Sequence, residues 1–258
     1  ACPPVLTYNI AQALWFALLF SGSFGLGCNL AFAFRKKRVM ILVGALCSAS
    51  VLLLSNPSGF LSALTKTGHY WWWSASRTVY DGTTELITEF PFFSFLLGDN
   101  HPHLLALPLL LLFAACCLNL LLYDTRKNDA AHPLSSSSQL RSSLTPLATM
   151  SLITGMVYIT NTWNVPILLF LACLTMLATS APPAKRLLQI SLYLPGTFLI
   201  LLLLFLPYHL TVKSPFSGFV FFHSFHTGLK ELGLMFGYFA PGVILLLLCS
   251  GSDRKSVV

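Results

Sequence analysis

Long apolar stretches without charge alternate with short polar segments along this chain of 258 residues. A helix needs about 20 apolar residues to cross the hydrocarbon core of a bilayer, and the stretches approach or exceed that length. They predict seven membrane-spanning helices, at roughly 10–34, 39–55, 104–123, 145–160, 165–181, 187–207 and 232–249. Lipid offers an open sheet edge no hydrogen-bond partner, so each span should be helical. The predicted fold class is an all-α, polytopic transmembrane helix bundle, with 1–258 forming a single integral-membrane domain.

Composition supports this fold class. Apolar residues make up 55% of the chain and charged residues only 9%, whereas roughly a quarter of an ordinary soluble domain is charged. This excludes a water-soluble globular protein. The cysteines mostly lie inside apolar runs, so we interpret them as small apolar residues without a redox role.

The positions of the Lys and Arg residues predict the orientation, because cytoplasmic loops retain them. Eleven of the fifteen cations fall on one side, which we assign to the cytoplasm; the other side keeps Lys66, Arg77, Lys213 and Lys230. The net charge of +7 is then a topology signal, and we expect no nucleic-acid partner. The amino terminus and the 56–103 loop are predicted to be extracytoplasmic on the cell membrane. Neither Met nor a basic export segment precedes the first span, so we expect a fragment of a longer chain.

The loop 56–103 is unusually long for a connection between spans, and such loops often have a function. Acidic residues follow Arg77 at intervals of four, so on a helix all of them would share one stripe. Three consecutive Trp residues ending at Trp73 suit the headgroup level of a bilayer. We therefore predict an interfacial helix within 69–90 on the outer leaflet. The alternatives are a solvated helix face and an ordinary aromatic belt.

The second half of this loop contains an apolar segment, 92–97, that is too short to span a bilayer. Pro91 and Gly98 should end a helix on either side of it, which predicts a re-entrant or interfacial element. Pro102 can begin the next span. Polar residues 99–103 then crowd a helix N-terminus, where partial positive charge favours an anion.

Asp99, His101 and His103 alternate, so in an extended segment their side chains would face one point. A carboxylate and two imidazoles form a plausible ligand set for a divalent metal such as Mg or Mn, and Glu89 could complete it. The alternative is structural: Asp99 caps the next helix and both His residues line a polar interface.

Two further outer groups are candidates for the same site. Asn161 begins a tight polar turn between two spans, and Lys230 lies in the polar loop 208–231. Each of these, taken alone, is more often structural.

Four stretches, "WWWSASR", "ITEFPFFSFLLGDNHPHLLALP", "TNTWNVP" and "LPYHLTVKSPFSGF", resemble the Chlor_Arch_YYY family of large multi-pass membrane proteins of unknown function. That family is distantly similar to the glycosyltransferase-C superfamily. The resemblance implies transfer of a sugar from a polyprenyl-phosphate donor at the outer face of the membrane, with membrane lipid as a partner.

This resemblance also implies roles for the candidate residues. Glu89 or Asp99 would be the catalytic base, and Asp99, His101 and His103 would hold the metal. The residues implied in substrate and phosphate binding are Arg77, Trp73, Lys230 and Asn161.

Two other functions stay open from the sequence. A transporter usually carries an ionisable residue within a span, and the predicted spans contain essentially none. A non-catalytic scaffold would use the aromatic loop to dock another membrane protein.

Overall fold

The computed structural model describes residues 3–34, 36–65, 73, 75–77, 79–80, 85–129, 136–179, 181–213 and 227–239. Their helices are α1 Pro4–Ala33, α2 Met40–Leu52, α3 Pro57–Thr65, α4 Pro91–Leu97, α5 Pro102–Asp129, α6 Ser136–Thr160, α7 Val165–Ala178, α8 Pro183–Leu204, α9 Leu206–Thr211 and α10 Leu229–Phe236. Two short strands, β1 Val79–Tyr80 and β2 Glu85–Leu86, pair antiparallel. Within the described residues the fold is therefore helical apart from this ribbon.

Several of these helices are apolar and long enough to cross a membrane. Three described helices are long and apolar enough to cross a membrane: Pro4–Ala33, Pro102–Leu122 and Pro183–Leu204. A fourth span results if Lys37–Leu52 and Pro57–Thr65, which meet at a bend of 85°, count as one broken span. The apolar helices Thr145–Thr160 and Thr162–Ala178 are shorter. Three to four spans are supported among the described residues, and seven are not confirmed; most of the predicted span 232–249 lies outside these residues.

The predicted interfacial helix over 69–90 is wrong at residues 79–80 and 85–86, which form strands. Val79 pairs with Leu86, and Tyr80 with Glu85, so this part of the loop is a ribbon. Gly82 and two Thr residues lie between the strands in sequence, and these residue types are weak helix formers. Arg77 and the acidic residues after it therefore share no continuous helical stripe. Trp71, Trp72 and Asp81 lie outside the described residues.

The chain divides into two compact units. Unit 1 comprises Ala1–Phe16, Ala45–Asn100 and Gly218–Val258, and unit 2 comprises Ala17–Gly44 and His101–Ser217. The single integral-membrane domain stays a prediction.

Unit 2 is built from α5, α6, α7 and α8, which pack around a buried apolar cluster. The hydroxyl groups of Ser151 and Thr197 lie 2.8 Å apart, and those of Thr154 and Tyr193 lie 3.2 Å apart. Both pairs join α6 to α8. Hydrogen bonds between helices stabilise membrane bundles because lipid cannot satisfy these groups.

The described core of unit 1 is formed by residues of the 56–103 loop itself. Ala75, Phe90 and Phe93 are buried together, and the Phe90 ring lies so close to Gly59 of α3 that a Cβ there would be 2.6 Å from its Cε2 atom. The Asn56 side chain donates to the Ala75 carbonyl at 3.4 Å and accepts from the Gly59 N–H at 3.0 Å. These contacts tie the segments around Ala75 and Phe90 to the start of α3.

Candidate functional site

The short helix α4 is defined at both ends by the residues that the sequence indicated. It begins at Pro91, and Gly98 follows it with φ of 69°, a conformation that glycine adopts without steric cost. The N–H of Gly98 donates to Phe95 O at 3.2 Å, and the N–H of Asp99 donates to Ser94 O at 2.9 Å. These two bonds form a Schellman motif. The predicted break at Pro91 and Gly98 is confirmed, and half-buried Asp99 is held immediately after it.

Three contacts hold α4 and the residues that follow it against the N-terminal part of α1 within unit 1. The Gln12 side chain donates through Nε2 to Ser94 O at 3.4 Å. The Asn100 N–H donates to the Tyr8 hydroxyl at 3.1 Å. In addition, the rings of Phe16 and Phe95 meet edge to face with centroids 5.1 Å apart. Helix α4 is therefore positioned by both hydrogen bonds and packing.

Arg77 is held in a defined position at the start of the ribbon. Its guanidinium carbon lies 3.8 Å from the centroid of the Trp73 ring, a cation–π contact. Its Nη1 donates to the Oγ of Ser76, which in turn donates to Trp73 O at 2.8 Å. The Trp73 ring also contacts Phe93, with centroids 6.2 Å apart. Arg77 is half-buried, so a fixed cation lies above the unit 1 core.

Glu89 follows β2, the second strand of the same ribbon. The N–H and the hydroxyl of Thr88 both donate to Ser76 O, at 2.8 and 3.1 Å. Arg77 and Glu89 therefore directly follow the two residues that make these bonds. Both side chains are half-buried. Unit 1 thus places a guanidinium and a carboxylate on neighbouring backbone segments, a combination suited to binding an anion and accepting a proton.

His101 and His103 belong to unit 2 and lie next to each other at the start of α5. Their ring centroids are 4.8 Å apart, with 45° between the ring planes. His101 is exposed and His103 is half-buried. The extended segment on which Asp99, His101 and His103 were predicted to face one point is not seen at His103, because α5 begins at Pro102 as predicted and His103 lies in its first turn. The metal itself stays a prediction.

The remaining candidates occupy other elements. Lys230 is exposed on α10, which packs against α3 in unit 1. Asn161 belongs to unit 2, where its N–H donates to Val157 O at 2.6 Å and its carbonyl accepts from Asn164 at 3.1 Å. Asn161 therefore closes α6 and starts the short 3-10 turn Thr162–Asn164. Its described hydrogen bonds are structural, and its role in substrate binding stays a prediction.

Sequence reasoning missed the amide side chains of α1. Asn9 and Gln12 are three residues apart, and they line a hollow of about 460 Å³ together with residues from the end of α2 and from α4. The other lining residues are Ala13, Phe16, Leu52, Leu53, Phe92, Phe95 and Leu96. Two amides on one face of an apolar helix were the available signal.

A second feature that sequence reasoning missed lies in unit 2. His209 of α9 contacts Leu201 O through Nε2 at 3.2 Å, and its Nδ1 lies 3.4 Å from the Tyr158 hydroxyl. The Tyr208 ring completes the cluster, 5.7 Å from the Tyr158 ring. The signal was the "PYH" sequence at the end of an apolar span. The cluster links α9 and the last turn of α8 to α6.

Comparison with known protein families identifies the family of this chain. The family described as "Uncharacterized membrane protein (DUF2298)" matches residues 1–257, and the chain belongs to this family. No curated protein and no solved structure matches the chain. The resemblance to an uncharacterised multi-pass membrane family is therefore confirmed at this level. The name Chlor_Arch_YYY and the similarity to the glycosyltransferase-C superfamily stay predictions.

Proposed function

We propose that this membrane protein transfers a sugar from a polyprenyl-phosphate donor to an acceptor hydroxyl at the outer face of the membrane. The observation that carries the proposal is the ribbon of unit 1, where Arg77 and Glu89 directly follow the bonded pair Ser76 and Thr88. A phosphate-binding cation and a proton acceptor are the two groups that this reaction needs from a protein.

Arg77 binds the donor phosphate in this proposal. A guanidinium presents N–H groups in a planar fork that matches phosphate oxygens, and charge-assisted bonds of this kind are strong. The Trp73 ring, 3.8 Å beneath the guanidinium carbon, limits the orientations of the fork. Trp73 thus positions Arg77, and its half-exposed indole contributes to the rim of the donor site.

Glu89 or Asp99 acts as the base. The acceptor oxygen forms a bond to the anomeric carbon while the bond from that carbon to the phosphate oxygen breaks. The acceptor proton passes to the carboxylate, and the lipid phosphate leaves with the electron pair. Asp99 is fixed by its backbone bond to Ser94, and Glu89 follows the residue bonded to Ser76. Both positions are therefore supported by backbone hydrogen bonds.

A divalent metal, Mg or Mn, is part of the proposal. Asp99, His101 and His103 would hold it, and its charge would stabilise the departing phosphate. The support is the proximity of the two imidazole rings, with centroids 4.8 Å apart. Lys230 and Asn161 are proposed as further contacts to phosphate and sugar, on the strength of the resemblance alone.

The proposal is tested with purified full-chain protein and radiolabelled polyprenyl-phosphate sugars. We expect Arg77→Gln to raise the donor KM about 10- to 100-fold, corresponding to the loss of a charged hydrogen bond. The base is either Glu89 or Asp99. We expect the substitution that removes it, Glu89→Gln or Asp99→Asn, to lower kcat about 10²- to 10⁴-fold. Lys36→Gln is the matched control because Lys36 is exposed and lies on the predicted cytoplasmic side.

Three results would count against this function. Wild-type protein that transfers none of a panel of sugars would contradict it, as would equal rates for all four variants. Solute flux in liposomes without transfer would favour a transporter instead. For the metal, protein that binds no Mn²⁺ by electron paramagnetic resonance, with transfer unaffected by chelator, would remove it from the mechanism.

A further inference from the structure

Helices α1 and α5 touch in unit 2 and then border a cleft, which we call the α1–α5 cleft. A Cβ at Gly22 would lie 3.3 Å from Leu111 Cδ1, so the two helices are in contact at that level. Asn29 and Asn119 follow about two helical turns later on the same faces, and both line the cleft, whose volume is about 460 Å³. Such a volume is typical of small-molecule sites. The other lining residues are Phe32, Ala115, Cys116, Leu118 and Leu122.

The two amides in this cleft can be reached from outside. Both Asn29 and Asn119 are exposed, and each offers two N–H donors and a carbonyl acceptor. The remaining lining residues are apolar apart from the thiol of Cys116, and no acidic side chain is among the lining residues described. The α1–α5 cleft therefore presents hydrogen-bond donors to an oxygen-rich group, next to an apolar wall.

A cation lies at the edge of the α1–α5 cleft. The Nζ atom of Lys37 is 5.3 Å from the centroid of the Phe32 ring, a cation–π contact, and Phe32 is one of the lining residues. Lys37 is exposed, as are its neighbours Lys36 and Arg38. An anion bound by the two amides would therefore have Lys37 close by and two further cations in the same turn.

Backbone and thiol hydrogen bonds fix the turn that carries these cations. The N–H of Lys36 donates to Ala31 O at 2.8 Å. The Cys28 thiol donates to Met40 O at 3.4 Å, which joins the start of α2 to α1. The fold therefore holds the backbone on both sides of Lys37 against the end of α1.

The α1–α5 cleft lies at a boundary of the membrane, whichever face of the membrane that is. The candidate span Pro4–Ala33 ends one residue after Phe32, and the candidate span Pro102–Leu122 ends at a lining residue. Charged residues follow both ends in the sequence, at 35–38 and from Asp124 onwards. Because charged side chains avoid the hydrocarbon core, the cleft lies where acyl chains give way to headgroups.

Charge and depth together select the occupant. Phospholipids bring a phosphate group to this level with hydrocarbon chains next to it. Phosphatidylcholine and phosphatidylethanolamine also carry a cation, which Lys37 would repel and which no acidic lining residue would offset. Basic pockets between membrane helices are a typical site for anionic lipid headgroups.

We propose that the α1–α5 cleft binds an anionic phospholipid. Its phosphate accepts hydrogen bonds from the amides of Asn29 and Asn119 and pairs with Lys37. One acyl chain lies along Ala115 and Leu118, on the hydrocarbon side of the amides. Binding at this site is independent of the proposed sugar transfer, because a transporter or a scaffold could contain the same cleft.

The test uses the full-chain protein in phosphatidylcholine nanodiscs that contain a trace of lipid with a photoreactive diazirine in one acyl chain. Phosphatidylglycerol and phosphatidylcholine with identical chains are compared, and labelling of the segments 29–32 and 115–122 is measured by mass spectrometry. We expect phosphatidylglycerol to label these segments at least about fivefold more strongly, the effect of one cation near a membrane surface. Equal labelling by the two lipids would overturn the proposal.

Two variants separate this site from a general attraction of anionic lipid to a basic protein. Lys37→Gln should lower the preference for phosphatidylglycerol about fivefold. Asn119→Leu leaves the net charge unchanged and should lower labelling by phosphatidylglycerol about tenfold, because a hydrogen bond to a charged phosphate is lost. Unchanged labelling in Asn119→Leu protein that elutes as the same monodisperse species as wild type would contradict the proposed contacts.

Matched controls remove the same chemical groups elsewhere. Lys185→Gln removes a cation at the start of α8, and Asn9→Leu removes an exposed amide near the other end of α1; both proteins should be labelled as wild type is. An excess of soluble glycerol phosphate should not compete with the lipid, because it lacks the acyl chains. Displacement of the lipid by glycerol phosphate would show a site for free phosphate and overturn the assignment to a lipid.

Discussion

Gly59 allows a direct test of how the segment around Phe90 is held in place. Gly59 lies in α3, and the Phe90 ring occupies the space in which a Cβ at Gly59 would lie. The distance between that Cβ and the ring Cε2 atom would be 2.6 Å. Phe90 is buried, with only 6% of its surface exposed, so it has little freedom to move away. Gly59→Ala must therefore displace either the ring or the helix.

The expected cost follows from two opposing effects. Overpacking a buried contact costs about 1–3 kcal/mol, whereas replacing glycine by alanine inside a helix contributes up to about 1 kcal/mol of stability. We expect a net loss of about 1–2 kcal/mol in the stability of the loop. This is equivalent to a change of about five- to thirtyfold in its open population.

Hydrogen–deuterium exchange of peptides covering 85–97 measures that population. Exchange should be about five- to thirtyfold faster in Gly59→Ala protein than in wild type. Adding Phe90→Leu to the Gly59→Ala protein should reverse most of this change, because the opposing side chain is then smaller. Gly25→Ala is the control, because a Cβ at Gly25 meets nothing within 4 Å. Equal exchange in Gly59→Ala, Gly25→Ala and wild-type protein would refute the proposed packing of Phe90 on α3.

Two other predictions test unit 2 and the orientation of the chain. Tyr193→Phe removes the 3.2 Å hydrogen bond to Thr154 and should lower the free energy of unfolding in a denaturing-detergent titration by about 0.6 kcal/mol, the average for membrane helices; a loss above about 2 kcal/mol would show that the ring itself had been displaced. In a cysteine-free background, Lys230→Cys should react with an impermeant maleimide added outside intact cells, whereas Lys36→Cys should react only after permeabilisation. The reverse labelling pattern would show that the orientation derived from the cation distribution is wrong.

The apolar helices could be predicted well from sequence because lipid imposes a simple rule on them. The positions of Pro91, Gly98 and Pro102 also fixed the limits of α4 and the start of α5. In both cases the responsible property belongs to the local sequence: apolar length, a missing N–H or freedom at positive φ.

The ribbon and the hollow depend on contacts between distant parts of the chain. The spacing of Arg77, Glu85 and Glu89 suited a helix, yet Val79 pairs with Leu86; strand formation depends on the packing context of the paired residues, which the local spacing does not show. Gln12 and Ser94 are 82 residues apart, so no local pattern could indicate that they meet. The seven predicted spans stay unconfirmed: three to four described helices are long and apolar enough, and the apolar helices Thr145–Thr160 and Thr162–Ala178 are shorter.

The central claim is that the outer face of unit 1 transfers a sugar from a lipid phosphate. The most direct measurement reconstitutes the protein in sealed liposomes and follows labelled sugar leaving a polyprenyl-phosphate donor in the wild type, Arg77→Gln and Glu89→Gln plus Asp99→Asn proteins. The account predicts product from the wild type, a raised donor KM for Arg77→Gln and a loss of about 10²-fold or more for the double variant. Absence of product from wild-type protein with every donor tested, or an unchanged rate in the double variant, would contradict it.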